Sequence, residues 1–396
     1  MSLLQLQRTF HPVGQGAFYS EQFFNDKHDV VFTAVYDCGT TTNPLNSAQQ
    51  TVTQAFPKTQ EIDVLFISHF DADHVNLIAT LKNRHKIKKV ILPLLSQKQI
   101  NILIALNEIK MIDVDIDLIK SPENFFNKGT VVIKIEGYSD DNIKNDINYN
   151  NEKSTIEIED IKENKEYNKG NAFIFTSIKL SRIWGYIPYN IDSLFKYQDL
   201  IINLKNNGIV IDQLQDTDYI IEKKKEIKES YEKLKNSIND NSMIVYSIPF
   251  TKNKTFLGDC NGYGDGNGYG DGNGNSNNIP CIKYILYKYP LVTDIPAGCL
   301  YTGDFNMKRY PLAKIPFNTE MYKIGTMQVP HHGAIDNFDT NSVKQNFFYV
   351  VSYGECNHYG HPSACVIGSI KMKKGIPVKV TENKSSIFIQ ISNINI

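Results

Sequence analysis

At 396 residues, with 41% hydrophobic and 21% charged residues, the chain has the make-up of one large or two ordinary globular domains. A formal net charge of −1 excludes a surface broadly sticky for nucleic acid, so any polyanion would have to be drawn by a local patch. No apolar run reaches the roughly 18 residues of a membrane span, and the N-terminus "MSLLQLQRTFHPVGQG" lacks the pattern of a signal peptide. The six cysteines form no CxxC pair, which reads as free thiols in a reducing cytoplasm.

In chain order, "QLQRTF" and "VVFTAVYDCGT" read as strands meeting across a hairpin. "SAQQTVTQAF" reads as a helix, and "EIDVLFIS" as a buried strand delivering His69 at its C-terminal end. A helix over 76–84, the strand "KKVILPL", a helix over 97–110 and the strand "VDIDLI" follow, a rhythm that favours a layered α/β domain. From 139 to 238 the texture changes, and this stretch is expected to be an insertion, partly polar and partly helical. Within 258–278 the sequence "NGYGDG" occurs twice in tandem; two copies cannot stack a calcium-binding roll, so a flexible loop is expected there. Strand signals resume in "NSMIVYSIPF" and "AGCLYTGDF", and the tail ends in the strands "PVKVTEN" and "SSIFIQIS".

The chemistry concentrates in a few short motifs. "SHFDADHVN" packs His69, Asp71, Asp73 and His74 into six positions, a set that suits zinc, manganese or iron but also occurs in ordinary polar turns. Six of the nine histidines lie in three motifs: His69 and His74, then His331 and His332 in "VPHHGA", then His358 and His361 in "NHYGHPS". "LYTGDF" adds Asp304 at the end of an apolar strand. Acids and imidazoles at successive strand ends are what a two-metal hydrolase needs, with one carboxylate bridging the ions so that a hydroxide can sit between them.

"ISHFDADHVN" resembles the HxHxDH signature of the metallo-β-lactamase superfamily, in a variant with Asp71 at the second histidine. With the other motifs it is similar to the hydrolase domain of the ComEC/Rec2 DNA-uptake family. "VGQGAFY" resembles that family's GQGDA segment, "VYDCGT" its early Asp-x-Gly strand and "NDNSMIVYSI" its NxxS strand. "LYTGDF", "MQVPHHGA" and "VSYGECNHYGHPS" resemble its TGD, VPHHGS and SxGxxNxYGHP motifs. The resemblance implies a four-layered αββα metallo-β-lactamase fold carrying an inserted segment. It implies two divalent ions, zinc or manganese: His69 and Asp71 on one, Asp73 and His74 on the other, Asp304 bridging, and His331 or His332 completing a shell, with His332 favoured. Asp37 would orient the ligand turn, while Asn241 and Ser242 would line the floor or close a turn. Asp73 and His361 would be the catalytic residues, His361 holding a phosphate oxygen or protonating the leaving group.

Two departures stand out. No histidine occurs between His85 and His331, where the superfamily supplies another ligand, and Ala17 stands where GQGDA has its acid. The implied activity is a soluble phosphodiesterase or nuclease acting on DNA, with nucleic acid as substrate. The alternatives are a small-molecule hydrolase for a lactone, thioester or cyclic nucleotide, or a component of a defence or competence complex engaging a protein partner through 139–238. Candidate patches for drawing a polyanion are "KNRHKIKK" (82–89) and "KMKKG" (371–375), both open to the plainer reading of a solvated surface.

Overall fold

Unbroken apolar runs such as "KVILP" and "FYVVS" form strands with nearly every residue buried, the pattern of a sheet covered on both faces. The computed structural model describes residues 3–109, 114–139, 154–167, 173–192, 194–234, 242–250, 295–315 and 318–395. Its first strands are β1 (Leu3–Phe10), β2 (Phe18–Phe24), β3 (Val30–Cys38), β4 (Val64–Phe66), β5 (Lys89–Pro93) and β6 (Val131–Ile135). Next come β7 (Tyr138–Ser139), β8 (Ser154–Glu157), β9 (Lys165–Tyr167), β10 (Phe173–Thr176), β11 (Trp184–Tyr189) and β12 (Ile191–Asp192). The last are β13 (Ile244–Pro249), β14 (Gly298–Tyr301), β15 (Ile324–Gln328), β16 (Phe348–Ser352), β17 (Ile376–Val380) and β18 (Phe388–Asn395).

They build two eight-stranded sheets, ordered β18-β1-β2-β3-β4-β5-β6-β9 and β17-β16-β15-β14-β13-β11-β10-β8, with β7 and β12 paired separately. The strands β3 to β6 run parallel to one another, as do β14 to β17. Three apolar clusters show how the sheets are covered. Phe23, Phe66 and Ile133 of the first sheet meet Trp184, Val245 and Val350 of the second. The other face of the first sheet, with Val35, Leu65 and Val90, packs on the helices Leu45–Gln54, Ile78–Arg84 and Gln97–Glu108. The other face of the second, with Tyr246, Leu300 and Val351, packs on Val366 and Ile370 of the helix Ala364–Met372. The chain is thus a mixed α/β protein. No helix among the described residues is long and apolar enough to cross a membrane.

Two expectations need correction. β1 and β3 do not form a hairpin; β2 lies between them and pairs with both. "VDIDLI" is not a strand: Asp115 caps a short helix, Ile116–Lys120, whose Leu118 and Ile119 are buried. Within the stretch 139–238, β9 extends the first sheet while β8, β10 and β11 extend the second. Both β8 and β9 are edge strands, and of "STIE" and "KEY" only Tyr167 is buried. The helices over 194–234 do lie outside the sheets, packed on the helix Gln97–Glu108 through Leu200, Leu204, Ile220 and Ile227. The glycine-rich loop 258–278 and Asn241 lie outside the described residues.

Candidate metal centre

The motif residues meet where β4, β14, β15 and β16 end. Each of these strands runs parallel to a neighbour, and the carboxyl edge of parallel strands is where loops can converge on a ligand. His69 follows β4 by three residues, Asp304 follows β14 by three, and His331 and His332 follow β15 by three and four. Asp73 and His74 sit in the helical turn Ala72–Val75, with Asp71 as the residue before it.

Three backing contacts fix which imidazole nitrogen faces inward. His74 Nδ1 donates to Asp37 Oδ2 at 2.8 Å. The Ser68 hydroxyl donates to Asp37 Oδ2 at 2.7 Å and so accepts from His69 Nδ1 at 2.8 Å. His332 Nδ1 donates to the Ser352 carbonyl at 2.8 Å. Each ring therefore presents Nε2 to the interior. His74 Nε2 lies 3.1 Å from Asp304 Oδ1 and His69 Nε2 lies 3.7 Å from Asp304 Oδ2, yet His69 Nε2, His74 Nε2 and Asp304 Oδ1 have no aligned hydrogen bond and are fully buried. On the other side of His74, His332 Nε2 lies 2.9 Å from Asp73 Oδ2.

Buried acceptors facing one another across 3 to 4 Å need a proton or a cation between them. Protons are one answer: burial opposes charge on His74, but Asp304 and Asp73 hold its pKa well above the ordinary value. Burial also opposes charge on His332, and Asp73 outweighs it in the same direction. A divalent ion is the other, and the donor set suits one. His69, His74 and Asp304 bring ligand atoms within 4.8 Å of one another, as do Asp73, His74 and His332. Imidazole with carboxylate is zinc or manganese chemistry. Since Asp37 occupies Nδ1 of His74, only its Nε2 is available, and one nitrogen serves one ion.

Other candidates stand in second place or apart. His331 Nε2 lies 3.7 Å from Asp304 Oδ2, with Nδ1 held 3.1 Å from Asn337 Oδ1. Asp71 belongs to neither group of ligand atoms; burial, then the charges of Asp73 and Asp304, push its carboxyl up to about 8. Ser242 accepts from the Asp304 amide at 2.7 Å and lies 3.1 Å from His69 Nδ1, so it ties one ligand to another. His361 sits beside the His331 ring, with centroids 5.6 Å apart, and burial followed by the charges of His331 and His332 lowers its pKa to about 4. His358 is exposed.

Sequence reasoning passed over Ser68, although it stands next to His69, and over Gln328 and Asn337. Gln328 Oε1 accepts from the Thr302 and Gly303 amides at 2.8 and 2.9 Å, and Asn337 donates to the Asp304 carbonyl at 2.9 Å. The lysine patches agree with the plainer reading of a solvated surface. Lys82 bonds the Phe125 carbonyl and Lys89 the Ile161 carbonyl, while Lys86 and Lys88 pair with Glu61 and Asp63. The first patch leads into the amino end of β5, and Lys371–Lys374 lead into the amino end of β17, both opposite the carboxyl edge that carries the histidines. Neither a scan against protein-family models nor a search of the curated proteins gives a match to this chain.

Proposed function

We propose that the chain is a metal-dependent hydrolase acting on phosphodiesters, with the αββα metallo-β-lactamase arrangement as its scaffold. The succession of helices, sheet, sheet and helices supports that scaffold, as does the motif order along it. The observation that carries the reading is the convergence of His69 Nε2, His74 Nε2 and Asp304 Oδ1, buried and without aligned partners. These three would hold one ion. A second would draw on Asp73 and His332, with Asp71 turned inward. The ions would supply Lewis acidity toward the phosphoryl oxygens and a water acidified enough to attack at neutral pH.

The protein's own part is preorganisation. Asp37 and Ser68 hold two imidazoles in the tautomer that leaves Nε2 free. Ser242 and Asn337 pin the backbone on either side of the Asp304 carboxylate, by its amide and its carbonyl. His361, half-buried and neutral at pH 7, is set to donate a hydrogen bond to a phosphate oxygen or the leaving oxygen, and the anion would raise its basicity.

DNA is one candidate for the substrate. A small ester or cyclic nucleotide is favoured by a specific observation: the two lysine patches singled out in the sequence lead into the opposite edge of the sheets. Metal analysis combined with hydrolysis of single- and double-stranded DNA, RNA, a cyclic dinucleotide and a lactone tests the reading. Bound manganese or zinc, turnover on a phosphodiester and loss of both in Asp304→Asn are expected. Full turnover in the chelated protein, or in Asp304→Asn, would overturn it.

A further inference from the structure

One aromatic side chain stands in solvent at the mouth of this centre. Tyr359 is 68% exposed, yet its ring lies nearly parallel to His361, at 18° with centroids 6.1 Å apart. His361 in turn meets His331 edge-on at 5.6 Å, and His331 Nε2 lies 3.7 Å from Asp304. A ladder of rings thus leads from water to the buried carboxylate.

The loop that presents Tyr359 is held from within. Asn357 Nδ2 donates to the Gly354 and His361 carbonyls at 2.7 and 2.6 Å. Its Oδ1 accepts from the Tyr359 and His361 amides at 3.1 and 3.2 Å. The backbone that carries the ring is held by these four bonds and the ring itself lies against His361, so part of the ordering entropy is already lost before any ligand arrives. Scattered exposed aromatics are ordinary; one locked in register with a residue lining the centre is not accounted for that way.

We propose that Tyr359 is a substrate-binding residue whose open face stacks on a nucleobase adjoining the phosphodiester to be cleaved. The proposal rests on the hydrolase reading above. Stacking on an aromatic platform needs no row of lysines, because every base offers a π-face whatever its sequence. Two sources share this chemistry, a single strand of nucleic acid and a cyclic dinucleotide.

Calorimetric titration of the manganese-loaded full chain separates them. The probes are phosphorothioate-linked octathymidylate, its abasic counterpart and phosphorothioate cyclic diadenylate. The wild type is expected to bind one base-bearing probe at least roughly tenfold more tightly than the abasic strand. Tyr359→Leu should erase that preference and Tyr359→Phe keep it, and the probe that responds names the source. Equal affinity for all three probes, or a preference untouched by Tyr359→Leu, would overturn the proposal. Hydrolysis of bis(p-nitrophenyl) phosphate, measured in parallel, reports on the hydrolase reading alone: activity without base preference sinks only the stacking, and base preference without metal or turnover sinks only the hydrolase.

Discussion

Asp37 shows how much one side chain behind a ligand can control. It adopts a left-handed backbone (φ 54°), a conformation that Asp and Asn tolerate better than most residues, and it accepts from the Ser68 amide, the Ser68 hydroxyl and His74 Nδ1. Asp37→Asn therefore fits the backbone and the space. Its amide can turn a donor toward His74, which moves the imidazole proton to Nε2 and removes a ligand lone pair. Metal affinity should fall roughly 10- to 100-fold, read by competition with a chromophoric chelator, with little change in the thermal melt of the chelated protein. The orienting role of Asp37 was an expectation from the resemblance alone; the Asp-x-Gly strand end by itself marks only a turn. Ser68 was not legible, since a serine beside a histidine has no pattern of its own. His11, which lies outside the three histidine motifs, carries a different consequence. It is buried, stacked at 4.1 Å on Phe18 and bonded to Ser20, and burial lowers its pKa from 6.5 to about 3. The unfolded chain therefore binds a proton that the native one refuses between those values. Stability from this residue is complete above about pH 6.5 and is lost as pH falls toward 3, by up to about 1.4 kcal/mol per pH unit. Urea melts at pH 7 and pH 5 should show a smaller acid loss in His11→Gln than in wild type.

At the scale of elements, the segments "VGQGAFY" and "VYDCGT" turn out to cradle the ligand turn through their backbones. The Ala17 amide donates to the Asp73 carbonyl at 3.0 Å, and the Gly39 amide to the Ala17 carbonyl at 2.9 Å. At position 17, where the resembled GQGDA segment has its acid, the Ala17 side chain is buried in the apolar cluster between the sheets. Gly39 has the tighter role. A Cβ there would come within 2.6 Å of the Ala72 carbonyl oxygen and of the backbone carbons of Asp73 and His74. Gly39→Ala should thus push the turn that carries two ligands, costing roughly 1–3 kcal/mol as overpacking does and weakening metal binding beyond what the stability loss explains. Gly368→Ala in the helix Ala364–Met372 meets nothing within 4 Å and serves as the control; a helical glycine replaced by alanine should gain about 0.5–1 kcal/mol. Equal metal affinity in Gly39→Ala and wild type, by the same chelator competition, would show that the contact only fills space. The glycines themselves were readable as turn markers, but which backbone they touch depends on segments more than thirty residues apart.

Across the whole molecule, what the sequence displayed well was the carboxyl edge, where short polar motifs end strongly apolar strands. The interior between the sheets stayed hidden. There Arg8 pairs with Glu21 at 2.7 Å, and Glu21 also accepts from Tyr186, Ser247 and Tyr301 of the opposite sheet. A charged pair inside a strand pattern looks like surface alternation until the partner sheet supplies its hydroxyls. Lysine patches fail for the converse reason: a run of basic residues is visible in sequence, but the edge of the sheet it occupies is not. That difference is measurable. Each lysine contacting a phosphate contributes about 0.9 to the salt slope of binding to duplex DNA. If "KNRHKIKK" and "KMKKG" held nucleic acid, the double variant Lys86→Ala/Lys371→Ala would flatten the dependence of log(kcat/KM) on log[salt] by nearly 2. Lys86 instead lies three residues before β5, paired to Glu61 at 3.0 Å, and Lys371 lies in the last turn of the helix Ala364–Met372 that leads into the amino end of β17, roughly a strand's length (~15 Å) from the carboxyl edge where His69 and Asp304 meet. The expected slope and the low-salt rate are therefore those of the wild type, and a slope lowered by even one would place the substrate's backbone on the far edge of the sheets.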